Sequence, residues 1–180
     1  VLREDGGWMP DFDEIERGGL QGVKMMIVNY PHMPTGAAPK EGLFRRLVDF
    51  ARRHGILLLH DNPYSFLRND RPESLLATPG ATEVALELNS LSKSHCMAGW
   101  RIGMIGGARE RIDEIIRFKS NMDSGMFYPL QAAAAKALSL GDDWYRELNA
   151  LYRRREAKAY EILDAVGCTY DPVQAGLFVW

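Results

Sequence analysis

Lys93 is set among small hydroxyl-bearing residues in Ser90-Leu91-Ser92-Lys93-Ser94, and Trp100-Arg101-Ile102-Gly103 follows shortly after, with Arg101 eight residues beyond the lysine. A lysine held away from bulk water, or beside another cation, can keep a neutral amine and react with a carbonyl. Serine hydroxyls and an arginine fork suit the oxygens of a phosphate. A second group is Asp61-Asn62-Pro63-Tyr64, which places a carboxylate three residues before a phenol. Alone, Asp61 reads as a helix cap or surface group and Tyr64 as ordinary packing. Beside a reactive lysine they offer an acid and a hydroxyl donor. A third stretch, Asn29-Tyr30-Pro31-His32-Met33-Pro34-Thr35-Gly36, is a turn rich in proline and glycine.

The elements around these groups alternate. Val23–Asn29, Ile56–Asp61, Val84–Asn89 and Arg101–Gly107 are short apolar runs without helical period, as strands buried on both faces would show. Between and after them, helical spacing runs over 39–54, closed by Gly55, and then over 110–119, 130–140 and 142–166, the last closed by Gly167. Strands alternating with helices predict an α/β three-layer sandwich with a mostly parallel sheet. In such sheets function collects beyond the C-terminal strand ends. Asn29–Gly36, Asp61–Tyr64 and Ser90–Lys93 all fall there.

The 180 residues suffice for one substantial core, and 46% hydrophobic with 26% charged residues is a globular composition. A net charge of −2 with both signs interspersed argues against a nucleic-acid or anionic-membrane partner. No apolar run approaches the roughly 20 residues of a membrane span, and no signal peptide is visible. Cys96 and Cys168 are far apart and read as free thiols, which fits a cytoplasmic location, although one disulfide remains open. The four histidines lack ligand spacing, so no metal site is expected. The chain starts without methionine and stops on Gly176–Trp180, which reads as an unfinished strand; a longer parent protein is expected.

In content and spacing, the three motifs resemble those of the class I/II aminotransferases that use pyridoxal 5'-phosphate (PLP), of the aspartate aminotransferase-like fold type I. Met97-Ala98-Gly99-Trp100 and Pro34-Thr35-Gly36 match that family as well. The resemblance implies that residues 1–160 are the C-terminal part of a large PLP-binding domain, incomplete here. Residues 161–180 would open a small α+β domain. It implies a Schiff base between Lys93 and PLP and transfer of an amino group between an amino acid and a 2-oxo acid. Lys93, Asp61 and Tyr64 would be catalytic, with Asp61 on the pyridine nitrogen and Tyr64 on the phenolic oxygen. Ser90, Ser92 and Arg101 would hold the phosphate. Met33 stands where the family has an asparagine donor to that phenolic oxygen, so no such role is given to it. The resemblance further implies a homodimer for the intact protein and no turnover by this chain alone.

Three alternatives stay open. A PLP-dependent β-lyase or decarboxylase of the same fold would use the same lysine and aspartate. A non-catalytic aminotransferase-like sensor domain would carry a DNA-binding segment upstream. Ser90-Leu91-Ser92-Lys93 also reads as the Ser-x-x-Lys of serine acyl-enzymes, but Ser-Asp-Asn and Lys-Thr-Gly are both missing.

Overall fold

The computed structural model describes residues 2–180. Its framework is a four-stranded sheet of β1 (Met25–Asn29), β2 (Leu57–Asp61), β3 (Ala85–Ser90) and β4 (Gly103–Gly107), in that order. The first two pairings are parallel, and β4 runs antiparallel to β3. The sheet is thus mostly parallel, as its apolar runs predict. Its reversal at β4 follows from a short connection, because Ser90 pairs with Gly103 across a 12-residue return that holds no full crossover helix.

The helices are α1 (Phe12–Arg17), α2 (Leu43–His54), α3 (Ala81–Val84), α4 (Leu91–Ser94), α5 (Arg109–Lys119), α6 (Tyr128–Leu138) and α7 (Asp142–Ala165). The helix expected over 39–54 begins only at Leu43, since Gly42 before it is left-handed, with φ 77°. Pro129 sits in the first turn of α6, where a missing N–H costs nothing. Ser90–Lys93 runs from the end of β3 into α4, and α1 lay outside the expected elements. Residues 176–180 form no strand, since an extended segment needs a neighbouring ladder and none pairs with it among the described residues.

Alternation along the strands gives the sheet two different faces. Met26, Val28, Leu58 and Ala85 point to one side, where Leu47, Val48, Phe50 and Ala51 of α2 complete the principal core. On the other side Met25 and Ile27 are exposed, so the second layer does not cover β1. Asp61 and Ser90 share this second face. Ladder register puts Asp61 beside Leu88, two residues before Ser90. Strand spacing then brings the two Cα atoms within roughly 8 Å. A smaller core of Leu91, Met97, Ile102 and Ala137 seats α6 beneath α4.

Candidate functional site

Ser90 ends β3 and caps α4, its Oγ accepting the Ser92 N–H at 3.1 Å. A capping serine uses a lone pair, so its own O–H is left to donate elsewhere. Lys93 follows on the same helical turn and is half-buried. The backbone N–H of Leu91 donates to the Ile102 carbonyl at 3.3 Å, which brings the Arg101 segment beside this helix. A Cβ on Gly103 would lie 2.7 Å from the Asn89 carbonyl, so only glycine lets β4 come this close to Ser90.

Arg101 is exposed and left-handed, with φ 52°, and its guanidinium donates to the Ala98 carbonyl at 2.9 Å. A non-glycine residue held there costs roughly 1 kcal/mol or more, and such residues cluster at functional sites. Among the described residues the fork is tied at one end only, which leaves N–H groups that could meet an anion. Arg101 thus stands near the serines without touching them.

Asp61 closes β2 and is exposed. Its carbonyl accepts the Asn29 side-chain amide at 2.7 Å, and Asn29 Oδ1 accepts the Met33 N–H at 2.8 Å. One side chain therefore ties the ends of β1 and β2 to the 30–36 turn. Burial, and secondarily the charge of Asp61, raise the pKa of Tyr64, which places that phenol within electrostatic reach of the carboxylate. Tyr64 meets the Phe178 ring edge-on at 6.4 Å. Gly176, at φ 83°, passes so near Met33 that an added Cβ would overlap its terminal methyl. Met33 therefore packs against the segment before Phe178. His32 stacks on Trp8 at 6.3 Å, and burial lowers its pKa.

The structure thus gathers Asp61, Tyr64, Ser90, Ser92 and Lys93 along the C-terminal edge of the sheet, with Arg101 at the margin. They form a ledge on which Asp61 is exposed and Tyr64, Ser90, Ser92 and Lys93 are half-buried. A cavity of about 760 Å³ lies away from it, between Arg68–Glu73, α7 and Pro172–Ala175. A cavity of about 310 Å³ reaches Asp61, Asn29 and His32 along the β1 edge. Both cysteines are free and exposed. Among the described residues no group of His, Cys, Asp or Glu is arranged to hold a metal ion, and no helix is long and apolar enough to cross a membrane.

Carboxylate, phenol, primary amine, two hydroxyls and guanidinium make a donor set that fits a ligand with a basic ring nitrogen, an aldehyde and a phosphate. Sequence reasoning passed over Asn29 as a tether and a buried carboxylate, Glu87, behind the ledge. A charged residue in the middle of the apolar run Val84–Asn89 was the available signal for Glu87.

The model of the family described as aminotransferase class I and II matches residues 2–180. An LL-diaminopimelate aminotransferase from Nitratidesulfovibrio vulgaris is 40% identical over 182 residues, covering 99% of this chain and 47% of that protein. One from Dehalococcoides mccartyi is 39% identical, covering 99% and 47%. Among solved structures, apo BacF from Bacillus subtilis superposes with TM-score 0.93 at 33% identity, covering 99% of this chain and 46% of that one. An N-succinyldiaminopimelate aminotransferase from Thermus thermophilus, assigned as probable, gives 0.87 at 34%, covering 99% and 48%. The chain spans about half the length of the curated relatives it matches. It belongs to the class I and II aminotransferases.

Proposed function

We propose that the intact protein transfers an amino group between an amino acid and a 2-oxo acid, using PLP held on this ledge by Lys93. The observation that carries this reading is the placement of Asp61 and Ser90 at the ends of adjoining strands of one sheet edge, with Lys93 in the helical turn that follows Ser90. When bound, PLP supplies an aldehyde that condenses with amines and a ring that takes up electrons.

The chain's residues then divide the work. Asp61 would accept a hydrogen bond from a protonated ring nitrogen, its negative charge keeping that proton in place. The Tyr64 hydroxyl donates to the phenolic oxygen. Ser90, Ser92 and Arg101 hold the phosphate, and the free O–H of Ser90 is a suitable donor. Lys93 provides the primary amine that anchors the aldehyde carbon. Its Nζ, as a free amine, would take the proton from the substrate α-carbon as a general base and give it back as a general acid.

The substrate class is an amino acid paired with a 2-oxo acid. LL-diaminopimelate is the first amino donor to screen, because the relatives at 40% and 39% identity are named for it. The intact protein is a cytoplasmic homodimer in this reading. Residues 1–160 belong to its PLP-binding domain and 161–180 open the smaller one, with α7 running unbroken across the division.

The test is borohydride reduction of the intact protein with PLP, followed by peptide mass spectrometry. A pyridoxyl adduct on Lys93, with 2-oxo acid formed from the donor, is expected. An adduct elsewhere, or none, would sink the assignment.

A further inference from the structure

Behind the ledge, on the α2 side of the sheet, lies a polar cluster within the principal core. Glu87 and His60 are 6% and 0% exposed, in a layer otherwise built of Val28, Leu58 and Ala85. Glu87 Oε2 accepts from Ser74 Oγ at 2.8 Å, Leu75 N at 2.8 Å and His60 Nδ1 at 3.2 Å. Its Oε1 accepts from Asn62 Nδ2 at 3.1 Å and Asn89 Nδ2 at 3.3 Å. His60 Nε2 meets the Tyr30 carbonyl at 2.9 Å. Both ring nitrogens of His60 are thus engaged, one by the carboxylate and one by a backbone carbonyl.

A buried histidine–carboxylate contact of this kind stabilises a fold little, because desolvation offsets most of the attraction. What it can fix is geometry, and its partners are distributed accordingly. Tyr30 opens the 30–36 turn. His60 directly precedes Asp61, and Asn62 directly follows it, two residues before Tyr64. Asn89 directly precedes Ser90. Neighbours on a strand point to opposite faces, so holding His60 below the sheet sets the backbone from which Asp61 rises above it.

We propose that Glu87, acting through His60 and Asn62, is a positioning residue that sets where Asp61 and Tyr64 stand around the bound cofactor. This rests on the functional reading above. Ser74 and Leu75 are a different arm of the same hub: they lead to the single helical turn Leu75–Ala77, which carries no site residue. The hub therefore has a site arm and a structural arm, and the two separate experimentally.

The intact PLP-loaded protein would be compared as wild type, Glu87→Gln, His60→Gln and Ser74→Ala. The readouts are kcat, KM, melting temperature and the visible circular dichroism of bound PLP, which reports how side chains are arranged around the ring. Displacing a catalytic group by about 1 Å can cost up to roughly a hundredfold in rate. Glu87→Gln and His60→Gln should therefore lower kcat by about 10- to 100-fold, leave KM within about twofold and alter the dichroic band. Ser74→Ala should lower the melting temperature alone.

If Glu87→Gln does not fold, His60→Gln carries the test, since it leaves the carboxylate and its other donors in place. Wild-type kcat and dichroism in the site-arm variants, with only a lowered melting temperature, would make Glu87 a purely structural residue. An equal spectral change in Ser74→Ala would overturn the division into arms. A wild-type protein that takes up no PLP would overturn the functional reading, and this proposal with it.

Discussion

The side-chain amide of Asn29 donates to the backbone carbonyl of Asp61 at 2.7 Å, joining the ends of two parallel strands at the residue that bears the candidate acid. The same side chain accepts the Met33 N–H, so it holds the 30–36 turn as well. Asn29→Ala removes both bonds. At about 1 kcal/mol each, the loss is about 2 kcal/mol, measured as a lower denaturant midpoint with an unchanged slope. Asn29→Asp keeps an acceptor for Met33 but loses the donor to Asp61, and should fall between the two.

Asp61 is exposed and its carbonyl tether is backbone, so Asp61→Asn should fold normally. It removes the charge that would hold a proton on the ring nitrogen. A loss of about 10²- to 10³-fold in kcat is expected, with PLP still bound. Lys93→Ala should go further, leaving no borohydride adduct and no measurable transfer. Steady-state kinetics with adduct mapping checks both, and an active Lys93→Ala would contradict the proposed role.

Gly176→Ala combines a left-handed backbone with an overlap against Met33. A cost of about 1–3 kcal/mol is expected from strain and overpacking. Met33→Ala opens the space but leaves the backbone strain. In the double variant the penalty should therefore shrink without vanishing, which chemical denaturation of all four proteins would reveal as a favourable coupling.

Stability should fall in two steps on the acid side. Burial lowers the pKa of both His32 and His95 in the folded chain. The fold thus favours their neutral rings. That contribution is fully present above roughly pH 6.5, the unfolded value, and is lost as pH falls through it toward the folded values. For Glu87, burial alone would raise the pKa, but hydrogen bonds from His60, Asn62 and Ser74 and the charge of His60 outweigh it, and the carboxyl lies below its usual range. Its stabilisation is present above about pH 4.3 and disappears as pH falls through the folded value. Melting temperatures from about pH 8 to about pH 3 should show both steps, and His95→Gln should shrink the first.

The strands and long helices were legible because burial leaves a local pattern. Ile56–Asp61 and Val84–Asn89 had to be strands of a covered sheet, and 142–166 had to be a helix. The direction of β4 was not local, since it depends on how Ser90 and Gly103 pair. Nor did the pattern show that Arg101 turns left-handed, which delays the strand to Gly103. In the site, residue types and intervals pointed to Asp61, Tyr64, Ser90, Ser92, Lys93 and Arg101, and the fold brings most of them to one edge. The supporting contacts were invisible because they join residues distant in sequence. His60 and Glu87 are 27 apart and Asn29 and Asp61 are 32 apart, and no spacing rule pairs them.

Helix α7 holds the segments that flank both halves of the ledge. Trp144 donates to the Ser94 carbonyl at 2.9 Å, next to the lysine. Further along the helix, Asn149 holds the Phe66 carbonyl and the Arg68 N–H, just past the tyrosine, and Glu156 meets the Arg68 guanidinium. Arg68 in turn grips the carbonyls of Gln174 and Gly176. Twenty-four residues of helix make a rod of about 36 Å, stiff over that length. The segments that follow the amine and the phenol are thus pinned to one common axle, a shared mount for two groups 29 residues apart in sequence.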